Sequence, residues 1–147
     1  MDDNGYEVVD LDTVVIAATA PFARTGSIAI DGSGIEPSTC HGDPAELTRL
    51  VTDLVDNAVR FASARVAVSV FPTPEGSRLT VVDDGPGIPE GEWDRVFDPG
   101  VRLDDAPGHA GTGLSDARDI VERHRAVVAV EPSARGARLV VDLPRRP

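Results

Sequence analysis

Apolar positions along the chain follow two periods. Leu47, Leu50, Val51, Leu54, Ala58 and Phe61 recur every three or four residues, which predicts a helix with one buried stripe. Its start is marked strongly: Asp43 fits the N-cap, Pro44 the first helical position, and Glu46 completes a capping-box pattern. This helix is expected to run to about residue 62. A shorter helix is expected over residues 10–22, where Leu11, Val14, Val15 and Ala18 share a face and Asp10 or Asp12 could cap it; residues 23–26 break it. A third opens at Gly111-Thr112-Gly113-Leu114 and runs to about His124, with Leu114, Ala117, Ile120 and Val121 inward. Between the helices the period drops to two. Val66, Val68 and Val70 mark a strand over residues 65–71, and residues 79–82 form its hairpin partner across the turn at 72–77. Residues 127–130 and 137–143 predict a second hairpin across 132–136. Residues 27–31 alternate as a strand that runs into the Gly-Ser-Gly turn at 32–34.

Two stretches lack either period. Residues 92–96 suggest one helical turn, with Trp93 as a local packing anchor. Residues 97–111 are fifteen irregular positions, a length that in a compact domain usually belongs to a lid or binding loop. The element order is helix, strand, helix, strand, strand, loop, helix, strand, strand.

The 147 residues suit one domain, with residues 1–8 and 144–147 as tails. Aromatic residues are only 4%, so the core must be aliphatic. No apolar run approaches the roughly 20 residues of a membrane span, and the acidic N-terminus lacks the charged and apolar regions of a signal peptide. Cys40 stands alone, which leaves no internal disulfide and no multi-cysteine metal site. The expectation is a cytoplasmic chain. The net charge is -11 and no basic cluster precedes Arg145-Arg146, so nucleic acid is not an expected partner. An acidic protein that binds an anion must do so locally, through helix ends, backbone amides, a few arginines or a metal.

Three stretches carry candidate chemistry. At about 100° per residue, Asp53, Asn57 and Arg60 fall in one narrow sector at the edge of the apolar stripe. Such a column is either a solvated helix face or the lip of a cleft. The run Leu79-Thr-Val-Val-Asp-Asp-Gly-Pro-Gly-Ile-Pro89 ends a strand on two aspartates and turns at once. It reads as a tight turn, or as an acid held beside a backbone with no Cβ in the way of a flat ligand. Gly111-x-Gly113 before a helix is a ready phosphate site, though weak evidence by itself. No Gly-x-x-x-x-Gly-Lys-Ser/Thr run occurs, and the glycines are misplaced for a dinucleotide fingerprint.

The order and spacing of these three stretches resemble the ATP-binding domain of sensor histidine kinases, part of the GHKL superfamily that also holds gyrase, the Hsp90-type chaperones and MutL. The likeness runs from about residue 9 to residue 144. It implies the Bergerat ATP-binding fold, an α+β two-layer sandwich in which a mixed, mostly antiparallel five-stranded sheet packs on about three helices. It implies ATP and Mg²⁺ as ligands. Residues 50–62 match the N box, where Asn57 would reach Mg²⁺, Arg60 would lie near the phosphates in place of a more usual lysine, and Phe61 near the base. Residues 82–89 match the first glycine box. There Asp83 would accept a hydrogen bond from the adenine amine, with Gly85, Gly87 and Ile88 beside it. Phe97-Asp98-Pro99 matches the start of the F box, residues 97–110 the mobile lid, and Arg102 could contact the γ-phosphate. Gly111, Thr112, Gly113 and Leu114 match the second glycine box. Asp53 stands where kinases often carry Asn. It could help hold Mg²⁺, act as a weak general base, or do neither. Gly100 replaces a second lid phenylalanine, and His124-Arg125-Ala126 replaces His-Gly-Gly.

The resemblance implies transfer of the γ-phosphoryl group to a histidine on a separate helical hairpin, with a response regulator downstream. Catalysis would involve Asn57, Asp53 and Arg102. The residues before Asp10 are too few for such a hairpin, so it is expected in cis within a longer membrane sensor, or in trans, and this domain is expected to be a monomer without membrane contact. His41, His109 and His124 each read as ordinary histidines. Two other readings share the fold: an anti-sigma-factor serine kinase and a degenerate nucleotide-binding module. The Gly42-Asp43 helix start and Phe97-x-Pro99 argue against the first, and the presence of both Asn57 and Asp83 against the second.

Overall fold

Short β-branched runs with one apolar face pair first with their neighbours in sequence. In the computed structural model, which describes residues 5–98 and 113–146, the order is β1 (Glu7–Asp10), α1 (Leu11–Thr25), β2 (Ala29–Ile35), β3 (Thr39–Gly42), α2 (Pro44–Phe61), β4 (Arg65–Pro72), β5 (Gly76–Asp83), a 3-10 turn (Glu90–Glu92), α3 (Gly113–Arg123), β6 (Val127–Glu131) and β7 (Arg138–Pro144). Five strands form one sheet in the order β2-β4-β5-β7-β6. The β2–β4 pair is parallel and the other three pairs are antiparallel. The expected α+β sandwich is therefore the observed one, and both predicted hairpins are present.

One face of the sheet is dry. Val66, Val68, Val70, Leu79, Val81, Leu139, Val141 and Leu143 are all buried there against the three helices. From α2 the stripe Leu47, Leu50, Val51, Leu54 and Ala58 meets them, joined by Val55; Phe61, at the helix end, is only half-buried. Leu114, Ala117, Ile120 and Val121 of α3 are buried as expected. Fully burying one such side chain contributes about 2 kcal/mol, so this aliphatic layer offsets the scarcity of aromatic residues. The opposite face is closed at its ends by the Arg78–Asp142 and Arg138–Glu131 ion pairs. No helix among the described residues is long and apolar enough to cross a membrane.

Several boundaries differ from expectation for identifiable reasons. A second, two-stranded sheet pairs β1 with β3, with Val9 opposite Cys40, so strand begins at Glu7 within the segment expected to be a tail. Four residues are too few to display a period. Helix α1 continues through Pro21 to Thr25, and Phe22 packs on the core and ties down the last turns. Asp10 occupies the N-cap position of α1, but its side chain makes no capping hydrogen bond. Leu11 N–H donates to Ser38 O at 2.9 Å, and Asp12 Oδ1 accepts from Ser38 N at 3.2 Å, which joins the helix start to the chain before β3. Gly32-Ser33-Gly34 is a bulge inside β2 rather than a turn that ends it: the pairing slips between Asp31 and Gly34, and Asp31 Oδ1 accepts from Ser33 N at 2.9 Å. The capping box is half made. Asp43 Oδ1 accepts from Ala45 N at 2.9 Å and Glu46 N at 3.5 Å. Glu46 instead pairs with Arg123 at 2.9 Å, and the Asp43 amide donates to His124 Nε2 at 3.1 Å.

Candidate functional site

Alternation along β5 puts Leu79, Val81 and Asp83 on the same, helix-facing side, so the strand delivers a carboxylate to the edge of the core. Asp83 is only 4% exposed. Its Oδ1 accepts from Gly85 N at 2.8 Å and Ala137 N at 3.4 Å; no described residue donates to Oδ2. Burial raises the pKa of Asp83 above the usual carboxylate range, against the lowering effect of those two amides. Asp84 points the other way. Its Oδ1 accepts from Ser63 N at 2.8 Å and Ala64 N at 3.0 Å, and these amides are among the causes that lower its pKa. The second aspartate of the pair therefore ties the end of α2 to β4 and takes no part in the cleft.

From α2, Asn57 and Phe61 lie one turn apart and both face Asp83. With Pro86, Gly87, Ile88, Pro89 and Ala137 they line a cleft of about 400 Å³, counted out to its open mouth. Trp93 Nε1 donates to Ile88 O at 2.8 Å and pins this wall, in keeping with its reading as an anchor. Gly85 is needed for another reason than ligand access. A Cβ there would sit 2.1 Å from Phe61 O, so the space beside it is filled by the end of α2. Gly87 adopts φ +83°, the left-handed region of the turn.

Asp53 sits one turn before Asn57. Its Oδ2 is sealed from solvent and accepts no hydrogen bond from the described residues, although the side chain as a whole is 23% exposed. The nearest described cation, Arg49 Nε, is 3.9 Å away, and Arg49 also reaches Asp116 in the first turn of α3 at 2.9 Å. Burial pushes the pKa of Asp53 up to about 6, against the pull of Arg49. The first turn of α3 thus stands beside Asp53. Arg60 does not line the cleft; it pairs with Asp56 at 3.2 Å. Leu114 is buried against the core at the start of α3. Arg102, Gly111 and Thr112, with His109 and Gly100, lie outside the described residues, and Gly113 is described only as the first residue of α3.

Sequence reasoning missed Ala137, whose amide reaches Asp83 and which lines the cleft. The only signal was its place after Gly136 at the turn. It also missed the buried oxygen of Asp53. Val96 and Phe97 are buried, and Asp98 pairs with Arg118 of α3 at 2.9 Å, which fixes the chain where the irregular stretch begins. His124 is a structural residue. It is buried, its Nδ1 lies 2.8 Å from Ile120 O, and its ring stacks on Tyr6 at 4.5 Å. His41 meets the edge of the same Tyr6 ring. Among the described residues no three His, Cys, Asp or Glu side chains gather as a metal cluster.

Residues 42–147 match the family model described as histidine kinase-, DNA gyrase B-, and HSP90-like ATPase. The chain is 34% identical over 140 residues to the sensor histidine kinase GtrS of Pseudomonas aeruginosa, covering 95% of this chain and 29% of that protein. It is 33% identical over 134 residues to the sensor protein PhoQ of Escherichia coli, covering 89% and 27%. The chain thus spans less than a third of the length of these curated relatives. Among solved structures, the mycobacterial sensor histidine kinase MprB superposes with a TM-score of 0.85 at 30% identity, covering 97% of this chain and 99% of that one. The ATP binding domain of PrrB from Mycobacterium tuberculosis gives 0.82 at 26% identity, covering 97% and 99%.

Proposed function

The chain belongs to the histidine kinase-, DNA gyrase B-, and HSP90-like ATPase family, and we propose that it is the catalytic domain of a two-component sensor kinase that binds Mg-ATP and delivers the γ-phosphoryl group to a histidine on a separate helical hairpin. The observation that carries this reading is the buried Asp83 carboxylate. One oxygen is held by two backbone amides while the other has no described donor, at the wall of a cleft lined by Asn57, Phe61 and Ile88. The exocyclic amine of adenine supplies the missing donor. A guanine would present a carbonyl there, so the same carboxylate selects between the bases. Phe61 and Ile88 offer apolar surface for the ring, and Gly87 and Ala137 complete the wall.

Mg²⁺ fits the donor set. Asp53 Oδ2 is an anionic oxygen without a hydrogen-bond donor, one helical turn from the amide oxygen of Asn57. A hard cation that keeps several waters and takes one or two protein oxygens suits this pair. The cation would neutralise charge on the phosphates. The start of α3 at Gly113 and Leu114 would supply amides for them. Arg60 and Arg102 are the cationic candidates, and Arg60 must leave Asp56 to serve. Catalysis by this chain would be positioning and charge stabilisation, with the imidazole nitrogen of the partner hairpin forming the new N–P bond as ADP leaves. The downstream acceptor would be a response regulator, and the setting the cytoplasmic part of a longer sensor protein.

Calorimetric titration with Mg-ADP, beside Asp83→Ala, tests the reading. Binding that the substitution abolishes supports it. A folded wild type that binds no Mg-ADP, or a variant that binds as well as wild type, overturns it.

A further inference from the structure

The β6–β7 turn makes a tight set of contacts with the chain around Asp83. Gly136 has φ +75°, and a Cβ there would stand 1.9 Å from Asp83 O, 2.6 Å from its carbonyl carbon and 2.9 Å from Oδ1. Real Cβ atoms do not approach backbone this closely. Asp83 is held on β5 and has little freedom to retreat: its own N–H donates to Ala137 O at 3.0 Å, and Ala137 N–H donates to Asp83 Oδ1 at 3.4 Å. One residue earlier in the turn, Arg135 Nε donates to Asp84 O at 3.1 Å. Three successive turn residues therefore grip two successive residues of the strand end. Of the three, Ala137 lines the cleft with Asn57 and Phe61, while Arg135 and Gly136 line the adjoining outer groove beside Pro86 to Pro89.

From this geometry we propose that the turn 135–137 is a positioning clamp for the base-reading carboxylate, and that Gly136 is the positioning residue that permits it; the inference rests on the adenine reading of Asp83 above. An aspartate at a strand end is free to rotate about two bonds. Here two amides, Gly85 N–H and Ala137 N–H, converge on the same oxygen, which fixes the plane of the carboxylate and leaves Oδ2 for the ligand. The Gly85 amide belongs to the strand's own turn, but the Ala137 amide reaches Asp83 only while residue 136 has no Cβ. Selection of an amine over a carbonyl on the purine then depends on a residue that never touches the base. A hydrogen bond to a charged acceptor is lost steeply with misalignment.

The test compares wild type, Gly136→Ala, Asp83→Ala and the double variant. Each is titrated with Mg-ADP and with Mg-inosine diphosphate, which carries a carbonyl in place of the exocyclic amine. Wild type is expected to prefer ADP. Gly136→Ala should lower ADP affinity about tenfold or more, the scale of one hydrogen bond to a charged group, and leave the inosine nucleotide nearly unchanged. In the Asp83→Ala background the same change should cause no further loss of the ADP-over-inosine preference, because the carboxylate that discriminates is already gone. A parallel fall for both nucleotides, or an unchanged ADP affinity, overturns the clamp. A wild type that does not distinguish the two nucleotides overturns the adenine reading and the clamp together, whereas a discriminating wild type beside an unaltered Gly136→Ala overturns the clamp alone. If Gly136→Ala does not fold, judged by circular dichroism, the exposed Arg135→Ala decides. A narrowed ADP-to-inosine preference sustains the proposal and an unchanged one overturns it.

Discussion

Replacing Asp53 by Asn should make the nucleotide-free protein more stable at neutral pH. The two side chains have the same shape, so what changes is the charge. In the folded state that charge sits on a carboxylate whose Oδ2 is sealed from water and lacks a hydrogen-bond donor, with Arg49 at 3.9 Å as the nearest described cation. Burial raises the folded pKa from 3.8 to about 6. A shift of that size corresponds to about 3 kcal/mol at most. With 23% of the side chain open to solvent and Arg49 exposed at the surface, about 1–2 kcal/mol is the working figure. The sign follows from proton linkage. Between the unfolded and folded pKa values the folded state binds more protons, so stability falls as pH rises through that window and levels off above it. Urea unfolding in EDTA, from about pH 4 to pH 8, reads this out directly. The gain from Asp53→Asn should be absent at the acid end, grow up to about pH 6, and then stay constant. A variant equal to or weaker than wild type at pH 7, or a gain independent of pH, would refute the argument. Under the proposed function the same variant should lose Mg²⁺-dependent nucleotide affinity, a trade of stability against binding.

Two other substitutions probe the frame of the site. Gly85→Ala should destabilise by about 2–3 kcal/mol, since its Cβ would lie 2.1 Å from the Phe61 carbonyl at the end of α2; a thermal midpoint within a degree or two of wild type would contradict that packing. His124→Ala removes the acceptor for the Asp43 amide and the ring stacked on Tyr6. It should cost about 2–4 kcal/mol in denaturant unfolding, while the affinity of the folded protein for Mg-ADP stays within about twofold, because the two sites share no partner. A selective loss of nucleotide binding would show that His124 does more than join α2 to α3.

The parts of the fold that could be read from the sequence were those with enough residues to display a period. The α2 stripe, the β4–β5 hairpin and the inward face of α3 each repeat their apolar positions at least three times, and each is present in the structure. The two-stranded sheet was hidden because β1 and β3 have four residues each and their pairing joins positions about thirty residues apart. The bulge at residues 32–34 carries the same Gly-Ser-Gly chemistry as a turn, and only its parallel neighbour β4 decides between them. At the site, Asn57, Phe61, Asp83, Gly87 and Ile88 do come together. Arg60, expected near the phosphates rather than the base, lies outside that cleft and pairs with Asp56 four residues earlier on the same helix. Ala137 could not be singled out, since what it brings to Asp83 is a backbone amide, which every residue except proline possesses.

The adjacent aspartates at the end of β5 show why the site is where the sequence breaks ordinary rules. Asp83 and Asp84 are the same side chain one residue apart, and the pleat sends them to opposite sides. Asp84 is well supplied with donors, its pKa is lowered, and its charge favours the folded state. Asp83 is buried, its pKa is raised, and its charge opposes the folded state. Asp53 repeats the second pattern on α2. A core built for stability alone would place apolar residues at positions 53 and 83, since an under-partnered buried carboxylate gains little until something donates to it. Both unfavourable carboxylates flank Asn57, one toward the cleft that would hold the base and one toward the start of α3, where the phosphates would lie. The groups they lack are those that Mg-ATP carries, an amine hydrogen at one end and a cation at the other. Ligand binding should therefore stabilise this domain by more than the contact area of the nucleotide suggests. The excess should shrink when Asp53 or Asp83 is neutralised, and thermal midpoints of the two single variants with and without Mg-ADP would measure it.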